Sequence, residues 1–424
     1  MSQPDFLKPV RKILLLVGLI FILQAACTIP AFVPPASSTA TPAPRQMTPS
    51  PFLPSPTHIP ATETAAPSHT PTLTPTVISI PSITPTLPSP TPRPLYKGFI
   101  AYDRQGETIT GYDLTGNPLD INIQISGAEW IGVNGGQWAN DSMYYVKRAE
   151  QAIIQVNRGG AAHKLSFIPA NEALAFAISP DGGRIAWSQD DYTGSNPASE
   201  LWMANIDGTN QKRIVQIDAA NNTKWQVLRP YRWLPDGRLL YIDSPTGIGG
   251  YILFDGFAGI HIYDPSNNKL TNLTPGIGAG GLCLNGISPD LKVVTSTCAA
   301  GQPGTLSYIT LTNNNVVSIS RQAEQNQVGS PVWSPSGEYM AYAFARGDGS
   351  DELGTVAVVP DGGTSPKILG TVSKGFYNVK AWISQDQFVA QRFEGALNSI
   401  WIFDRESGDP QKLADGVFIG LIPN

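Results

Sequence analysis

The sequence feature that most limits how this chain can fold is a short turn that recurs after an apolar strand. Four copies are clear, and two weaker copies keep the tryptophan that precedes the turn. The clear copies are Ile178-Ser179-Pro180-Asp181-Gly182, Trp233-Leu234-Pro235-Asp236-Gly237, Ile287-Ser288-Pro289-Asp290 and Trp333-Ser334-Pro335-Ser336-Gly337, and the weaker ones are Trp138-Ala139-Asn140-Asp141 and Trp382-Ile383-Ser384-Gln385-Asp386. Successive copies begin 40 to 55 residues apart, a period that suits four strands per unit.

The chemistry of each residue in this turn explains why it can join two strands. Proline presets the backbone of the second turn position, Asp bonds its own backbone, and Gly accepts a positive φ. We expect the Trp or Ile before each turn to point into the contact between neighbouring units. A third strand is recognisable after four of the turns, at residues 201–208, 261–264, 355–359 and 400–404. The pattern predicts an all-β chain of repeated four-stranded units.

These turns and third strands resemble the WD40-like repeat of the TolB-type β-propellers, most clearly between residues 174 and 370. The resemblance implies a single β-propeller, in which four-stranded blades form a ring. The sequence shows no counterpart of the α/β domain that precedes the propeller in TolB. We therefore do not expect the role of TolB in an envelope complex to carry over.

Six turns leave the two ends of the repeat region unexplained. Residues 99–102 and 110–114 look like a second and a third strand without a first strand, whereas residues 416–423 look like a first strand with nothing after it. Pairing these ends completes one more blade and protects sheet edges that an open array would expose. The sequence therefore predicts a β-propeller domain over residues 95–424, with seven blades closed by the C-terminal strand. Six blades are the alternative.

Residues 1–27 have the pattern of a signal peptide. Three basic residues precede an apolar run over residues 13–23, which is shorter than the ~20 residues needed to span a bilayer. The segment Leu23-Gln24-Ala25-Ala26-Cys27 resembles the lipobox of bacterial lipoproteins, whose cysteine carries a diacylglycerol, although Gln24 stands where that family usually has Leu. The resemblance implies lipidation at Cys27, a membrane anchor and a location in the cell envelope outside the cytoplasm. A cleaved signal without lipid and a short uncleaved anchor are the alternatives.

Residues 28–94 consist mainly of Pro, Thr, Ser and Ala, with recurring pairs such as Thr48-Pro49 and Thr91-Pro92. Proline removes backbone donors and favours extended geometry in the residue before it, so this segment cannot form a core. The composition predicts a disordered, polyproline-like linker that reaches up to ~3.1 Å per residue. Such a linker would hold the folded domain away from the membrane, and it is a candidate for O-glycosylation.

Two of the three cysteines, Cys283 and Cys298, flank the turn at Pro289-Asp290. A symmetric hairpin places them opposite each other, and opposed Cβ atoms on adjacent strands lie within about 5.5 Å. In an exported protein this arrangement favours a disulfide bond. Two buried free thiols are the alternative, and a catalytic thiol is not expected because no histidine is near in sequence.

Composition and motifs argue against several classes of function. The chain carries 28 basic and 33 acidic residues, for a net charge of −5, and no basic run in the predicted folded part, so we expect no nucleic-acid partner. Only His163 and His261 lie in that part, too few for a site with three histidine ligands. No G-x-S-x-G, P-loop or H-E-x-x-H motif occurs, and no hydrolase domain follows the propeller. We therefore expect no cofactor, no metal and no self-sufficient active site.

The longer loops are predicted on the face of the ring opposite the short turns, and they are rich in aromatic residues and carboxylates. Rings stack on the apolar faces of sugars or peptides, and acids accept hydrogen bonds from hydroxyl groups, so these loops are candidates for ligand binding. The candidate residues are Asp190, Asp191, Tyr192, Trp225, Tyr251, Phe254, Phe257, Arg346, Asp348, Asp351 and Glu352. Turn formation and packing under a long loop are the alternative explanation for each of them. A calcium site over residues 348–352 would lack EF-hand spacing.

Two classes of function remain. The favoured one is an exported, membrane-tethered module that binds or scaffolds a protein or a glycan. The alternative is a polysaccharide hydrolase or lyase that uses paired carboxylates such as Asp190, Asp191 or Asp351, one as acid and one as base. The sequence favours the binding module and leaves enzymatic activity open.

Overall fold

The computed structural model describes residues 96–103, 107–125, 136–171, 174–245, 256–277, 283–297, 304–347, 352–395 and 397–424. All of them belong to one compact unit of the chain, residues 85–424. Cys27, the signal peptide and the linker over residues 28–94 lie outside the described residues and remain predictions. Within the described part, no helix is long and apolar enough to cross a membrane.

Seven four-stranded antiparallel sheets form a ring, which confirms the predicted fold and the predicted number of blades. We number the blades in chain order and give their strands from first to fourth. Blades 1 to 3 contain β28 (Val417–Pro423), β1 (Tyr96–Asp103), β2 (Thr108–Asp113) and β3 (Pro118–Gln124); β4 (Gly136–Ala139), β5 (Ser142–Lys147), β6 (Ala152–Asn157) and β7 (Ala162–Lys164); and β8 (Phe176–Ile178), β9 (Arg184–Asp191), β10 (Ala198–Asn205) and β11 (Lys212–Ile217).

The remaining four blades follow the same plan. Blades 4 and 5 contain β12 (Gln226–Trp233), β13 (Leu239–Pro245), β14 (Gly259–Asp264) and β15 (Lys269–Asn272); and β16 (Leu284–Ile287), β17 (Val293–Ser296), β18 (Ser307–Thr310) and β19 (Val316–Ser318). Blades 6 and 7 contain β20 (Gln327–Trp333), β21 (Tyr339–Arg346), β22 (Leu353–Pro360) and β23 (Lys367–Lys374); and β24 (Phe376–Trp382), β25 (Gln387–Glu394), β26 (Leu397–Asp404) and β27 (Pro410–Asp415). Two short 3-10 helices, Arg148–Glu150 and Ala219–Asn221, lie in the connections.

Burial changes from the first strand of a blade to the fourth. Second strands such as β21 are buried over almost their whole length, because each blade is covered on both faces by its neighbours. Fourth strands such as β7 and β15 are exposed throughout and carry polar residues. First strands of successive blades contact each other, as β4 with β8 and β8 with β12 do.

The tryptophans before the short turns join neighbouring blades, as expected. Trp233 of blade 4 packs against Ala177 and Leu201 of blade 3, and its indole N–H donates to the Ala177 carbonyl at 3.0 Å. Trp382 of blade 7 donates in the same way to the Val332 carbonyl of blade 6 at 2.8 Å. At Trp233 and Trp382, a large apolar ring and one hydrogen bond thus link a blade to the one before it, whereas the indole N–H of Trp333 has no hydrogen-bond partner among the described residues.

The C-terminal strand closes the ring, also as predicted. In blade 1, β28 pairs with β1 from Val417 opposite Tyr102 to Pro423 opposite Tyr96. Blade 1 is therefore assembled from both ends of the folded part of the chain. Closure by backbone pairing removes the sheet edges that an open array would leave.

The first strands are less regular than the repeat suggests. An extra residue interrupts the pairing of the first and second strands at Ile419, Tyr231, Asn285 and Lys380 in blades 1, 4, 5 and 7. The bulge at Asn285 shifts the register on which the cysteine pairing depended, and the Thr297 amide donates to the Cys283 carbonyl at 2.9 Å. The predicted alignment of Cys283 opposite Cys298 therefore does not follow from a symmetric hairpin. Cys298 lies outside the described residues, and the disulfide remains a prediction.

The antiparallel order of each blade defines two faces of the ring. The connections between first and second strands and between third and fourth strands lie on what we call the turn face. The connections between second and third strands and from one blade to the next lie on the opposite, loop face. The recurring short turns are on the turn face, and those predicted ligand-binding residues that the structure describes are at the loop face.

Candidate functional site

The predicted binding residues occupy three separate places around the loop face. Asp190, Asp191 and Tyr192 lie at the end of β9, and Trp225 lies on the connection to β12, where blade 3 meets blade 4. Phe257 lies between blades 4 and 5, and Arg346 and Glu352 lie in blade 6, next to blade 7. Tyr251, Phe254, Asp348 and Asp351 lie outside the described residues.

Asp190 is the acceptor at the centre of a buried polar group between blades 3 and 4. Its side chain is 0% exposed, and its Oδ2 atom lies 2.5 Å from Nη2 of Arg229 on β12. The hydroxyl group of Ser199 donates to Oδ1 at 2.7 Å, and that of Tyr192 donates to Oδ2 at 3.2 Å. Three donors therefore satisfy a carboxylate that burial would otherwise destabilise.

The partners of Asp190 are themselves tied to the two blades. The Arg229 guanidinium also donates to the Ser188 hydroxyl at 3.1 Å and to the Leu228 carbonyl at 2.9 Å. The Ser199 hydroxyl accepts a hydrogen bond from the Leu228 amide at 2.8 Å. This network fixes β12 against β9 and β10, and it holds Asp190 in a structural role.

Asp191, the next residue, is exposed and shapes the loop that follows β9. Its Oδ1 atom accepts a hydrogen bond from the Thr193 amide at 2.8 Å. Hydrogen bonds from the Thr193 backbone and hydroxyl lower the pKa of the Asp191 carboxyl. A carboxyl whose pKa is lowered stays ionised and is a poor general acid near neutral pH.

Tyr192 and Trp225 form what we call the aromatic platform. Their side chains are 47% and 50% exposed, on the loop after β9 and on the connection before β12. These two segments are tied together, because the Asn196 amide group donates to the Ala219 carbonyl at 3.2 Å and that of buried Asn222 donates to the Pro197 carbonyl at 2.7 Å. Two large rings are thus presented to solvent on a fixed base.

The backbone at Trp225 is unusual for a bulky residue. Its φ is +52°, in the left-handed region that L-residues other than Asn and Asp rarely adopt. Asn222 imposes this conformation, since its Oδ1 atom accepts from the Gln226 amide at 2.9 Å while its amide group donates to the Gln226 carbonyl at 2.6 Å. Backbone strain of this kind is concentrated at functional sites.

Phe257 is buried and supports the ring structure. It is only 4% exposed, and its backbone pairs with Leu284 of β16 through hydrogen bonds of 2.7 and 3.1 Å. Its ring centroid lies 5.9 Å from that of Tyr231. The connection that contains Phe257 therefore joins blade 4 to the first strand of blade 5.

Arg346 and Glu352 differ sharply in environment. Arg346 is exposed and pairs with Glu324 at 2.7 Å. Glu352 is 2% exposed, and within the described part of the chain neither its Oε1 atom nor Oε1 of neighbouring Gln327 has a hydrogen-bond partner. Burial raises the pKa of the Glu352 carboxyl, against a smaller opposite effect from Gln327.

Several residues of these sites were not among the sequence-based candidates. Arg229, Ser199 and Asn222 are polar residues without a motif, and the hydrogen bonds that tie them to another segment of the chain span 25 to 41 positions. The pair His261 and Asp243, on adjacent strands of blade 4, was also missed, with 2.8 Å between Nε2 and Oδ2. The one sequence signal that could have identified Arg229 is its charge, because it lies between the apolar residues Leu228 and Pro230. Among the described residues, no group of three or more His, Cys, Asp and Glu could hold a metal ion.

Solved structures similar to this chain include TolB proteins and other propellers. No protein-family model and no curated protein matches the sequence. A putative TolB from Agrobacterium tumefaciens is 16% identical over 67% of this chain and 81% of its own, with a TM-score of 0.37. TolB from Acinetobacter baumannii is 16% identical over 77% of this chain and 82% of its own, with a TM-score of 0.42.

A puromycin hydrolase has a higher structural similarity, with a TM-score of 0.52. It is 11% identical over 77% of this chain, which spans 54% of the length of that hydrolase. At these identities the likeness is one of fold alone.

Proposed function

We propose that this chain is an exported, membrane-tethered protein whose propeller binds a ligand on the loop face, at the aromatic platform of Tyr192 and Trp225. The observation that carries the proposal is that two half-exposed rings lie on segments that are hydrogen-bonded to each other. Because the base of the platform is already ordered, little conformational entropy is lost when a ligand binds.

A glycan suits this platform better than a peptide. Flat aromatic faces stack on the apolar faces of sugar rings, and exposed polar residues beside them, here Asp191 and Lys224, can bond hydroxyl groups. The buried Asp190–Arg229 pair supports the platform from below through the Tyr192 hydroxyl. A protein ligand remains an outcome that the binding experiment distinguishes.

The predicted N-terminal features give this binding module its location. A lipid on Cys27 would attach the chain to a membrane of the cell envelope. The linker over residues 28–94 would extend the propeller away from that membrane. Metabolic labelling with a fatty-acid analogue tests this part, and a Cys27→Ala chain should be exported without label.

The ligand-binding proposal is tested with the full chain, purified in detergent, on glycan and peptide arrays. We expect glycan binding, weakened about tenfold or more by Tyr192→Ala or Trp225→Ala, because aromatic anchors dominate such contacts. Leu397→Ala is the matched control, since Leu397 is 69% exposed at the loop-face end of blade 7. Binding that none of these variants changes would contradict the platform, and selective peptide binding lost in the same two variants would make the ligand a protein.

One observation favours the enzymatic alternative. Glu352 is a buried carboxyl with a raised pKa, which is the environment of a general acid in glycoside hydrolysis. A polysaccharide turnover assay run beside the arrays tests it. Activity that disappears in Glu352→Gln while glycan binding is retained would establish a hydrolase or lyase.

A further inference from the structure

The turn face carries a second feature that could bind a ligand, on the opposite side of the ring from the aromatic platform. A cavity of about 340 Å³ opens between blades 3 and 4, lined by Arg184, residues 236–238 and residues 264–266. We propose that this cavity binds a single carboxylate of a protein partner, either an acidic side chain or a free C-terminus, through the guanidinium group of Arg184.

The Arg184 side chain is held between a ring and a glycine. Its guanidinium carbon lies 4.4 Å from the centroid of the Trp233 ring, a cation–π distance. On the other side is Gly237, whose φ is +84°, and a Cβ atom at that position would stand 2.9 Å from Nη2 of Arg184. The turn needs glycine here both for its backbone and for the close approach of the arginine.

The guanidinium group has no assigned acceptor. Across the described ranges, no hydrogen bond or ion pair involves the Arg184 side chain. Arg405 of blade 7 has a comparable guanidinium group that packs against blade 6. Its guanidinium carbon lies 4.0 Å from the centroid of the Tyr339 ring, and the group forms ion pairs with Asp386 at 2.6 Å and Glu406 at 2.7 Å. Arg184 instead lines the cavity. Hydrogen bonds within its turn lower the pKa of the Asp181 carboxyl, and the charge of Arg184 lowers that pKa further without forming an ion pair.

The carboxylates near Arg184 are already committed to their turns. Asp236 accepts from Arg238 at 2.8 Å. Asp264 accepts from the amide and hydroxyl of Ser266 at 2.9 and 2.6 Å. Asp181 accepts from the Ser179 hydroxyl at 2.5 Å and from the Gly183 amide at 3.0 Å. Pairing any of them with Arg184 would break hydrogen bonds that form a turn.

The surroundings select a single carboxylate rather than a polyanion. A planar guanidinium binds a carboxylate through two parallel hydrogen bonds, and its fixed position lowers the cost of forming them. Asp236 and Asp264 line the cavity, so an acidic polysaccharide with a charge on every residue would be repelled by them. One acidic side chain inserted between the turns would meet Arg184, because Arg238 of the same cavity is already paired with Asp236, and it would act as an anchor residue of a protein interface.

The test uses the full chain in detergent and three sets of fluorescent heptapeptides. The first set has one central Glu among neutral residues and a blocked C-terminus, the second has Gln in place of that Glu, and the third has a free C-terminus and no acidic residue. We expect fluorescence anisotropy to show binding by members of the first or third set, which assigns the source of the carboxylate. The Gln peptides should bind about tenfold more weakly or worse.

The variant Arg184→Met keeps an apolar contact with Trp233 and should remove this preference for a carboxylate. Arg158→Met, the same change at an exposed arginine in the turn between β6 and β7 of blade 2, should leave it intact. If Arg184→Met does not fold, Arg184→Lys keeps the charge without the planar fork and should weaken binding severalfold. Affinity that is equal for Glu and Gln peptides, unchanged in the Arg184 variants, or absent for every set would overturn the proposal. Binding of polygalacturonate that depends on Arg184 and exceeds peptide binding would reassign the cavity to acidic glycans.

Discussion

Two buried acids in this propeller, Asp190 and Glu352, show how far environment decides the role of a residue. Asp190 accepts hydrogen bonds from a serine, a tyrosine and an arginine, so its charge is compensated where it lies. Among the described residues, Glu352 has no arginine partner and a hydrogen bond from Gln327 that only partly offsets its burial, so burial raises its pKa. The first acid holds two blades together, whereas the second costs stability whenever it is ionised.

That difference gives a pH-dependent prediction for Glu352→Gln. A carboxyl whose pKa is raised by folding binds protons more tightly in the folded state than in the unfolded state. Its contribution to stability is therefore complete below its ordinary pKa of 4.5 and is lost as the pH rises through the higher folded value. The neutral Gln side chain should raise the melting temperature at pH 8 and leave it nearly unchanged at pH 4.

Calorimetry of both chains across this pH range measures the effect. Glu324→Gln is the matched control, because Glu324 is an exposed acid of the same region. A melting temperature that Glu352→Gln changes equally at pH 4 and pH 8 would show that ionisation of Glu352 does not matter to folding.

The sequence could indicate which residues stand on the loop face but not what each one does there. Asp190, Asp191 and Tyr192 are consecutive, yet one is a buried anchor, one shapes its loop and one is exposed. The distinction depends on Arg229 and Ser199, which the fold brings to Asp190 from β12 and β10. Partners that come from another strand or blade leave no local pattern in the sequence.

At the scale of elements, side-chain amides form hydrogen bonds between neighbouring blades, as backbone groups do between the strands of one blade. Gln391 of β25 is fully buried, donates to the carbonyls of Gly416 and Ser399 at 2.9 and 3.1 Å, and accepts from the Phe418 amide at 2.6 Å. Gln137 of β4 bonds the Phe176 carbonyl and the Ile178 amide at 2.9 and 2.8 Å. An amide group can satisfy one donor and one acceptor of a neighbouring strand at once.

Replacing Gln391 by Leu should therefore weaken the contact between blade 7 and the closing strand. Leu preserves much of the volume but leaves the Phe418 amide and the Gly416 carbonyl without their partner. Each buried unsatisfied group costs about 1–3 kcal/mol, so we expect a loss of roughly 2–4 kcal/mol in the free energy of unfolding. Urea denaturation measures it.

The exposed residue Gln216 provides the control, since Gln216→Leu should change the free energy of unfolding by less than about 0.5 kcal/mol. Equal stabilities of the two variants would mean that the buried amide contributes nothing to closure.

The elements themselves were largely predictable, because their signals are local. A turn such as Ser179-Pro180-Asp181-Gly182 sets its own geometry, and the strands after it are apolar because blades cover both of their faces. The bulges were not predictable. An extra residue at Tyr231, Asn285 or Lys380 reflects how a first strand fits between its neighbours, and that fit cannot be read from any one strand. The shift at Asn285 removes the symmetric-hairpin argument for the alignment of the two cysteines, and the disulfide stays a prediction.

At the scale of the whole molecule, the ring is closed by backbone hydrogen bonds rather than by packing alone. Blade 1 takes its first strand from the C-terminal end of the chain and its other three from the start of the folded part. Opening the ring at this point would require the pairing of β28 with β1 to break along most of both strands. Between blades 3 and 4 and between blades 6 and 7, apolar side chains form shared core clusters, and in the described part of the chain only isolated backbone bridges such as Leu353 with Gly375 join neighbouring blades.

Circular permutation can distinguish closure of the ring by strand pairing from closure by side-chain packing. Pro423 lies opposite Tyr96, so a short turn can join β28 to β1 in a permuted ring domain. If the new termini are placed at residues 321 and 322, between blades 5 and 6, every blade is continuous, and no pair of hydrogen-bonded strands closes the ring. If they are placed at residues 149 and 150, inside blade 2, that blade is split and strand pairing still closes the ring. Since a hydrogen-bonded strand pair contributes about 0.5–1.5 kcal/mol per bond, the first permutant should unfold several-fold faster in urea than the second. Stopped-flow unfolding rates that are equal, or reversed, would show that side-chain packing between blades is sufficient to hold the ring shut.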